Sequence, residues 1–250
     1  NHSEVCSGNA ARHRRNLEVV MVVSAFPSVS QTFVAQQIAG LCQAGYAVKI
    51  VRMGARGDKR WIAEDLRPIF DKLVLLSLPY NDTLNVIRRF LSFLPVCAAN
   101  TWRHPVASLR VFLDKAMRLK LAEFVRIHND AYLFEQAGGA QIIHFQFATL
   151  AHRYSQMKKY GFVRRESAIA CSVRGYDISR KTVVDEMDWS AIVKDVSLFL
   201  PVCDFIRRIL EDRGVEKAIR VVRSPVDVEK LASLRKQRAA GTEINIISVG

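Results

Sequence analysis

The sequence predicts an α/β protein of the Rossmann-like, doubly wound type, in which a parallel sheet is covered by helices on both faces. Apolar runs of strand length alternate with helical patterns along most of the chain, and this alternation is typical of parallel sheets. Half of the 250 residues are apolar, which is enough to bury a sizeable core. The first apolar run also enters a helix through a short polar turn, as the first unit of such a fold does.

The predicted strands are recognised by their apolar, β-branched composition and by the turn residues that flank them. They span residues 18–24, 46–52, 72–77, 140–145, 167–173, 198–202, 218–223 and 243–249. Helices are predicted between most of these strands.

The first helix is predicted over residues 31–44, because three apolar residues recur on one face at positions i, i+4 and i+7. These residues are Val34, Ile38 and Leu41. Ser30 is placed to cap the N-terminus of this helix, and Gly45 to end it in a left-handed conformation. Since free N–H groups at a helix start can bind a ligand beyond the strand end, the turn at 26–33 is the first place to seek a functional site.

Residues 83–136 interrupt the alternation with two long helical patterns, and we interpret them as a helical insertion on the sheet. Their apolar stripes are Leu84, Ile87, Leu91 and Leu94, then Leu109, Phe112, Ala116, Met117, Leu121, Phe124 and Ile127. The same segment carries Arg88, Arg89, Arg103, Arg110, Lys115, Arg118, Lys120 and Arg126. Two interpretations stay open: helices that pack on the core with solvated basic faces, or a surface that docks on an anionic membrane.

Domain boundaries follow from these patterns. Residues 1–16 form a basic stretch without periodicity, which we expect to be a mobile tail. The Rossmann-like domain spans 17–226, and a connecting helix and linker follow over 227–242. Residues 243–250 resemble in composition the first strand of a second domain, the rest of which we expect to lie outside this chain.

The composition limits the partners and the compartment. A net charge of +13 favours anionic partners, which could be nucleic acid, acidic lipid or phosphorylated sugars. The five cysteines form no CxxC pair and no metal-ligand spacing with the six histidines, which indicates reduced thiols and no structural zinc. No apolar stretch reaches the roughly 20 residues that span a bilayer. We therefore expect a cytoplasmic protein, with peripheral attachment to the inner face of the membrane as an option.

Three widespread ligand-binding motifs are absent from the sequence. No Gly-x-Gly-x-x-Gly follows the first strand, so a nicotinamide or flavin cofactor is not indicated. No Gly-Lys-Ser/Thr element is present for a triphosphate, and no Gly-x-Ser-x-Gly elbow for a nucleophile. The sequence thus predicts neither a bound cofactor nor a metal ion.

Polar side chains follow three of the predicted strands. Ser28 and Ser30 follow the first strand, and His144 closes the fourth. Arg174 and Asp177 follow the fifth. Because parallel strands end at a common edge, we expect these side chains to line one cleft. Each has a structural alternative: the serines as helix caps, Asp177 as a cap of its own turn, and His144 as a hydrogen-bonded residue of the sheet.

Four blocks of residues together resemble the N-terminal domain of family 4 glycosyltransferases, the retaining GT-B enzymes that build bacterial polysaccharides and lipid-linked glycans. Phe26-Pro27 with Ser30-Gln31-Thr32-Phe33 is similar to the FP-x-x-SETF turn of that family. Ile143-His144-Phe145-Gln146-Phe147 is similar to its IH-x-HF strand end, and Arg174-Gly175-Tyr176-Asp177-Ile178 to its HG-x-DI turn. The fourth block runs from Val202-Cys203 through Leu210 and Gly214 to Val226-Asp227. The resemblance covers about residues 17–250.

The resemblance implies transfer of a sugar from a nucleotide-diphosphate donor to an acceptor hydroxyl, with retention at the anomeric carbon and no obligatory metal. It implies that this domain binds the acceptor, a polysaccharide or lipid-linked glycan. The residues implied are His144 as the catalytic residue near the reacting sugar, and Ser28, Ser30, Gln31, Thr32, Arg174 and Asp177 around the acceptor. The nucleotide-sugar donor would bind through the second domain, so the present chain alone is expected to be inactive or nearly so.

Five positions depart from the family pattern: Gln31 replaces Glu, Gln146 the second His, Arg174 a His, Cys203 a Ser and Pro225 a Gly. Arg174 puts a permanent cation where the family has a titrating group, which favours anion binding over acid–base chemistry. Three other functions stay open: a basic membrane-surface module, a nucleic-acid-binding module, and a GT-B-like sugar-nucleotide epimerase. The epimerase needs poised carboxylates, and Asp177 alone does not form a pair.

Overall fold

The computed structural model describes residues 17–28, 31–54, 56–78, 86–163, 167–224, 228 and 232, with the backbone alone for 86–90. Its strands are β1 (Glu18–Val23), β2 (Ala47–Arg52), β3 (Val74–Leu76), β4 (Ile142–Phe145), β5 (Ala168–Val173), β6 (Leu198–Pro201) and β7 (Ala218–Ile219). They form one parallel sheet in the order β3-β2-β1-β4-β5-β6-β7. The chain moves from β1 to one edge, crosses back, and moves from β4 to the other. The predicted Rossmann-like α/β fold is therefore confirmed.

Ten α-helices lie in the part of the chain that the structure describes. They are α1 (Thr32–Gln43), α2 (Arg67–Phe70), α3 (Val86–Arg103), α4 (Pro105–Val111), α5 (Leu121–Ala137), α6 (Ala148–Tyr160), α7 (Gly175–Ser179), α8 (Lys181–Asp185), α9 (Trp189–Asp195) and α10 (Asp204–Asp212). Two short 3-10 turns precede α2, at Lys59–Trp61 and Glu64–Leu66, and a π-helical turn over Phe112–Ala116 continues α4.

The sheet is buried on both faces, and β1 illustrates how. Val19, Met21 and Val23 pack with side chains of α1 on one face. Val20 and Val22 join a larger cluster on the other face, together with side chains of α5 and α6. Strands covered on both sides are apolar along their whole length. This explains why an uninterrupted apolar run predicts β1 correctly.

The start of α1 differs from the prediction. The helix begins at Thr32, and Gln31 occupies the N-cap position without a side-chain cap bond. The predicted cap by Ser30 is therefore wrong by one position, and Ser30 itself lies outside the described residues. The backbone turns into the helix through a bond from the N–H of Gln31 to the carbonyl of Ser28, at 3.0 Å. The entry to α1 is thus set by a backbone turn.

The end of α1 is as predicted. Gly45 has φ 89°, a left-handed conformation that glycine adopts without a Cβ clash. Its N–H bonds to the carbonyl of Cys42 at 3.0 Å, and the N–H of Tyr46 bonds to the carbonyl of Leu41 at 3.1 Å. These two bonds make the Schellman motif that closes many helices. The predicted end of this helix, at residue 44, is therefore correct to within one residue.

The crossover from β3 to β4 contains three helices and a π-helical turn, where the sequence predicts two long helices. Pro105 occupies the first turn of α4 and separates it from α3, because proline lacks an N–H and suits that position. Of the two open interpretations of this segment, packing of the apolar stripes on the core holds only in part. Phe124 is half-buried and Ile127 is buried, but the following residues are exposed: Leu91, Leu94, Leu109, Phe112, Met117 and Leu121.

A buried ion pair joins α5 to α6. The Arg153 guanidinium donates two hydrogen bonds to the Asp130 carboxylate, one of them from Nε to Oδ2 at 2.9 Å. Its Nη1 also donates to the carbonyl of Met53, just beyond β2, at 3.2 Å. The Asp130 side chain is 2 % exposed. One arginine thus links two helices to the end of a sheet strand.

Gly57 lies against the turn that follows β1. Its N–H donates to the carbonyl of Phe26 at 3.3 Å, beside a bridge between Phe26 and Arg56. A Cβ atom at Gly57 would lie 1.5 Å from the carbonyl oxygen of Pro27. Glycine is therefore required at this position for the two loops to meet.

All seven described strands are shorter than predicted, β3, β4 and β7 by two residues or more, and several predicted elements lie outside the described residues. β4 begins at Ile142, and β7 has two residues, although the N–H of Val222 still bonds to the carbonyl of Pro201 at 2.9 Å. The tail at 1–16, the strand at 243–249, and Pro225 and Asp227 are not among the described residues, and only 228 and 232 of the connecting segment are. Among the helices described, none has the length and apolar character to cross a membrane.

Candidate active site at the carboxyl edge of the sheet

The candidate site lies where the chain changes direction within the sheet. β1 and β4 are neighbours, with Met21 opposite His144, but the connection after β1 leads to one edge and that after β4 to the other. Loops that diverge from such a switch point leave a crevice at the carboxyl ends of the strands, and ligands of open α/β sheets bind there. The predicted residues after β1, β4 and β5 all belong to this region.

Arg174 connects these loops. Its guanidinium carbon lies 3.8 Å from the centre of the Phe33 ring at the start of α1. Its Nη2 donates to Oε1 of Gln146, after β4, at 3.4 Å, and its Nη1 to Oγ of Ser224, after β7, at 3.2 Å. Burial lowers the pKa of Arg174 to about 10. The side chain therefore stays cationic at neutral pH, at the meeting point of loops from four parts of the chain.

His144 is the last but one residue of β4 and is 6 % exposed. Its Nε2 lies 2.9 Å from Oγ of Ser172 on the neighbouring strand β5. Burial, and next the charge of Arg174, lower the pKa of His144 to about 4. The imidazole is therefore neutral at physiological pH, so it can exchange hydrogen bonds but does not supply a proton as imidazolium.

Asp177 holds the loop in shape. It is fully buried. One carboxylate oxygen accepts the N–H of Arg174 at 2.8 Å, and the other accepts the N–H of Ala148 at the start of α6, at 2.6 Å. Burial raises the pKa of Asp177 to about 6, against the effect of these backbone donors. The structural alternative for Asp177, a cap of its own turn, describes this geometry, and the same carboxylate also caps α6.

The turn after β1 supplies the remaining residues predicted for the site. Gln31 is half-buried and its Nε2 donates to Oγ of Ser24 at 3.2 Å. Ser28 is half-buried, and Thr32 is exposed on the first turn of α1. Ser30 lies outside the described residues. Gln31 is thus the member of this turn whose side chain bonds back to the end of β1.

Three buried polar atoms of this region have no hydrogen-bond partner among the described residues: Oε1 of Gln31, Nε2 of Gln146 and Nε of Arg174. Buried polar groups are nearly always paired, so such atoms indicate a place where a water molecule or a ligand completes the bonding. They comprise one acceptor and two donors, from the loops after β1, β4 and β5. Sugar hydroxyl groups both donate and accept, and can satisfy such a set.

A cavity of about 410 Å³ opens beside the same turn. Phe26, Pro27, Ile62 and Phe70 give it mainly apolar walls. Three cations also line it, namely Lys59, Arg60 and Arg67. Each of them pairs with a carboxylate: Lys59 with Asp71, Arg60 with Asp58 and Arg67 with Glu64. A second cavity of about 410 Å³ is lined by Arg103, His104 and Ser167; it lies toward the opposite edge of the sheet, since Ser167 immediately precedes β5.

Four residues of the site were not predicted as site residues: Phe33, Gln146, Ser172 and Ser224. Gln146 was noted only as a departure from the family pattern. Ser172 could have been identified as a site residue from its position two residues before Arg174, because alternate residues of a strand point to one face. Phe33 and Ser224 reach Arg174 only through the tertiary fold. In the described residues no group of three or more His, Cys, Asp or Glu side chains is arranged to hold a metal ion.

The two buried histidines predict how stability depends on pH. His128 on α5 is fully buried against the Phe124 and Phe162 rings, and burial lowers the pKa of both His128 and His144 from 6.5 to about 4. Unfolding therefore takes up protons between pH 6.5 and 4, and the stability falls as the pH falls through this window. The raised pKa of Asp177 acts in the opposite direction between about pH 6 and 4.

Each histidine is expected to account for about 3 kcal/mol of this loss. The His128→Phe variant should therefore lose about 3 kcal/mol less than the parent protein between pH 6.5 and 4. Urea unfolding at several pH values measures the difference, and titrations that run parallel for the two proteins would contradict the assignment. Asp177 and every other titrating group are present in both proteins, so their contributions cancel in the difference.

Comparisons with known proteins show similarity at the level of structure. No protein-family profile matches the sequence, and no curated protein matches it. Among solved structures, the chain is similar to the apo form of the lipopolysaccharide outer core galactosyltransferase WaaB, with a TM-score of 0.46 and 12% sequence identity. The match covers 85% of this chain and 47% of that chain. The present chain thus spans less than half the length of that protein.

Proposed function

We propose that this chain is the acceptor-binding half of a retaining glycosyltransferase, which moves a sugar from a nucleotide-diphosphate donor to a polysaccharide or lipid-linked glycan acceptor. The observation that carries the proposal is the convergence of Gln31, Gln146 and Arg174 at the switch point, each with a buried polar atom that lacks a partner among the described residues. A polyhydroxylated ligand is the class of molecule that such a set of donors and acceptors fits.

The residues have different roles in this proposal. Neutral His144 exchanges a hydrogen bond with the reacting sugar, while Ser172 fixes the orientation of its ring. Arg174 provides a fixed positive charge near the acceptor, where it can bind an anionic or hydroxyl group of that molecule. Ser28, Ser30, Gln31 and Thr32 are assigned to acceptor binding, as the resemblance implies. Asp177 acts indirectly, because both of its carboxylate oxygens are used to hold the Arg174 loop and α6.

The apolar cavity beside Pro27 supports the proposal that the acceptor carries an apolar or aromatic portion. Its walls include Phe26, Ile62 and Phe70, and cations lie among its lining residues. A lipid-linked glycan has such an apolar portion, and the phosphate that joins its sugar to its lipid would compete with Asp71, Asp58 and Glu64 for these cations. We propose that the donor, in contrast, binds to a second domain, as the resemblance implies, and that no metal ion is needed.

The test is a transfer assay on the complete enzyme, in which this chain is joined to its proposed donor domain. A panel of nucleotide sugars and glycan acceptors is supplied, and the release of nucleoside diphosphate is followed with the anomeric configuration of the product by NMR. We expect a glycoside with the configuration of the donor. An inverted product would contradict the retaining mechanism.

The same assay separates the alternatives. The present chain alone is expected to give no sustained transfer, because the donor-binding groups are proposed to lie in the other domain; turnover by this chain alone would contradict that division. Conversion of the nucleotide sugar to an epimer without consumption of acceptor would support the epimerase instead. Within the described residues Asp177 is the carboxylate of this site, and its bonding to two backbone N–H groups leaves no poised pair.

A further inference from the structure

Exposed apolar side chains are concentrated in one part of the molecule. Ten of the seventeen large apolar side chains that are exposed in the described residues lie between 91 and 121. Monomeric soluble proteins rarely expose contiguous apolar patches beyond a few hundred Å², and larger ones mark interaction sites. This clustering of exposed apolar side chains therefore indicates an interaction site.

The outer face of α4 forms a continuous part of this surface. Val106, Leu109 and Leu113 lie at positions i, i+3 and i+7, on one side of a helix, and all three are exposed. The stripe continues through the π-helical turn to Met117, which is 64 % exposed. Phe112, at the start of the turn, and Leu121, at the start of α5, are also exposed. We call the exposed side chains of residues 106–121 the apolar ridge.

Leu119 projects from the ridge in an unusual conformation. Its φ is 58°, in the left-handed region, and its side chain is 85 % exposed. A leucine in this region costs on the order of 1 kcal/mol relative to a glycine. An exposed leucine gains nothing from packing within the chain that would offset this cost. Contact with an apolar surface outside the protein would explain why a leucine is found here.

The charges around the ridge have one predominant sign. Arg110, Arg118 and Lys120 are exposed between its apolar residues. Asp114 pairs with Lys115 at 3.6 Å and with Arg118 at 3.7 Å, and Glu123 pairs with Lys115 at 2.8 Å and with Lys120 at 3.7 Å. Residues 106–123 nevertheless carry four cations against these two carboxylates, and the Arg118 and Lys120 side chains stay 72 % and 53 % exposed. The surface therefore presents apolar side chains interspersed with cations.

From this surface we infer that the apolar ridge docks the protein on an anionic membrane, with Leu113, Met117 and Leu119 among the acyl chains and Arg118 and Lys120 at the lipid phosphates. A bilayer offers anionic headgroups directly above an apolar layer, which complements both components of the ridge. A protein partner fits less well, because the cores of protein interfaces are depleted in lysine. The inference rests on this surface alone and does not depend on the transfer reaction.

The test is binding of the chain to sedimentable vesicles, of phosphatidylcholine alone or with 30 % phosphatidylglycerol. We expect binding to the anionic vesicles only, weakened by high salt. The double variant M117Q/L119N should lower the partition coefficient by about tenfold or more, since two apolar side chains no longer leave water. Asparagine tolerates a left-handed φ, so this variant should keep its thermal unfolding midpoint. R118Q/K120Q should lower binding by about thirtyfold, because two cations at roughly 1 kcal/mol each contribute about 2 kcal/mol.

The control is Phe205→Asn on α10, which removes an apolar side chain of similar exposure outside the insertion and should leave binding unchanged. Equal binding by the parent protein and by M117Q/L119N would overturn the proposal. So would a second result: no vesicle binding, but a dimer of the parent protein that M117Q/L119N converts to a monomer in sedimentation. In that case the partner of the ridge would be a second copy of the chain.

Discussion

Replacing Asp130 with alanine is expected to lower the free energy of unfolding by about 3–5 kcal/mol, because it leaves the Arg153 guanidinium without its counter-charge in a largely buried position. Arg153 would keep only the carbonyl of Met53 as a partner among the contacts described above. Urea unfolding with linear extrapolation measures the change. The loss is expected at all pH values at which the native carboxylate is ionised.

Two variants define the size of this effect. Asp71→Ala removes an acidic group whose ion pair with Lys59 is 80 % and 63 % exposed at its two side chains, and should cost less than about 1 kcal/mol. The double variant D130L/R153M replaces the buried pair with apolar side chains and should recover much of the loss. A cost of under 1 kcal/mol for Asp130→Ala would show that water reaches the pair.

Replacing Arg174 with alanine is expected to lower kcat/KM of the complete enzyme by about 10²–10³, if the proposed function is correct. The reason is the loss of a charged hydrogen-bond donor at a site screened from water, where one such donor contributes this much. Loss of the stack on Phe33 and of the bond to Gln146 adds to the effect, because the loops after β1 and β4 lose their common partner. Steady-state kinetics over a range of acceptor concentrations measures it.

Two further variants separate charge from geometry. Arg174→Lys keeps the charge but not the planar group that stacks on the ring, so it should recover only part of the activity. Arg180→Ala removes an exposed arginine that lies 5.5 Å from the Tyr176 ring, a similar contact outside the crevice, and should change kcat/KM by less than about twofold. Full activity in a folded Arg174→Ala variant would exclude Arg174 from the site.

The strands could be predicted because the sheet is covered on both faces. Residues 18–23 are apolar apart from Glu18 and lie where the sequence placed them. The insertion could be predicted only in outline, since an apolar stripe on a helix does not reveal whether another element covers it. Leu109 and Ile127 belong to the same predicted stripe, yet the first is exposed and the second is buried. Exposure depends on the packing of α3, α4 and α5, which local periodicity does not contain.

For the candidate site, too, some features could be predicted from the sequence and others could not. Strand ends fix the edge of the sheet to which a residue belongs, so the sequence could place His144 and Arg174 near each other. The direction and hydrogen bonding of the side chains could not be predicted from the sequence. Asp177 turns inward to two backbone N–H groups. Phe33 contacts Arg174, although the two residues are 141 positions apart in the sequence. Contacts of this kind arise from folding and leave no local signature.

If the proposed function is correct, the close approach of Gly57 to Pro27 bears on any attempt to redesign acceptor preference. Segments that line a cleft are commonly exchanged between relatives one at a time, yet here the segment after β1 rests directly on the segment after β2, with no room for a methyl group between them. A transplanted version of residues 24–33 would meet a surface shaped for the original. The segment at 52–58 should therefore travel with it, so that the two are swapped as one cassette.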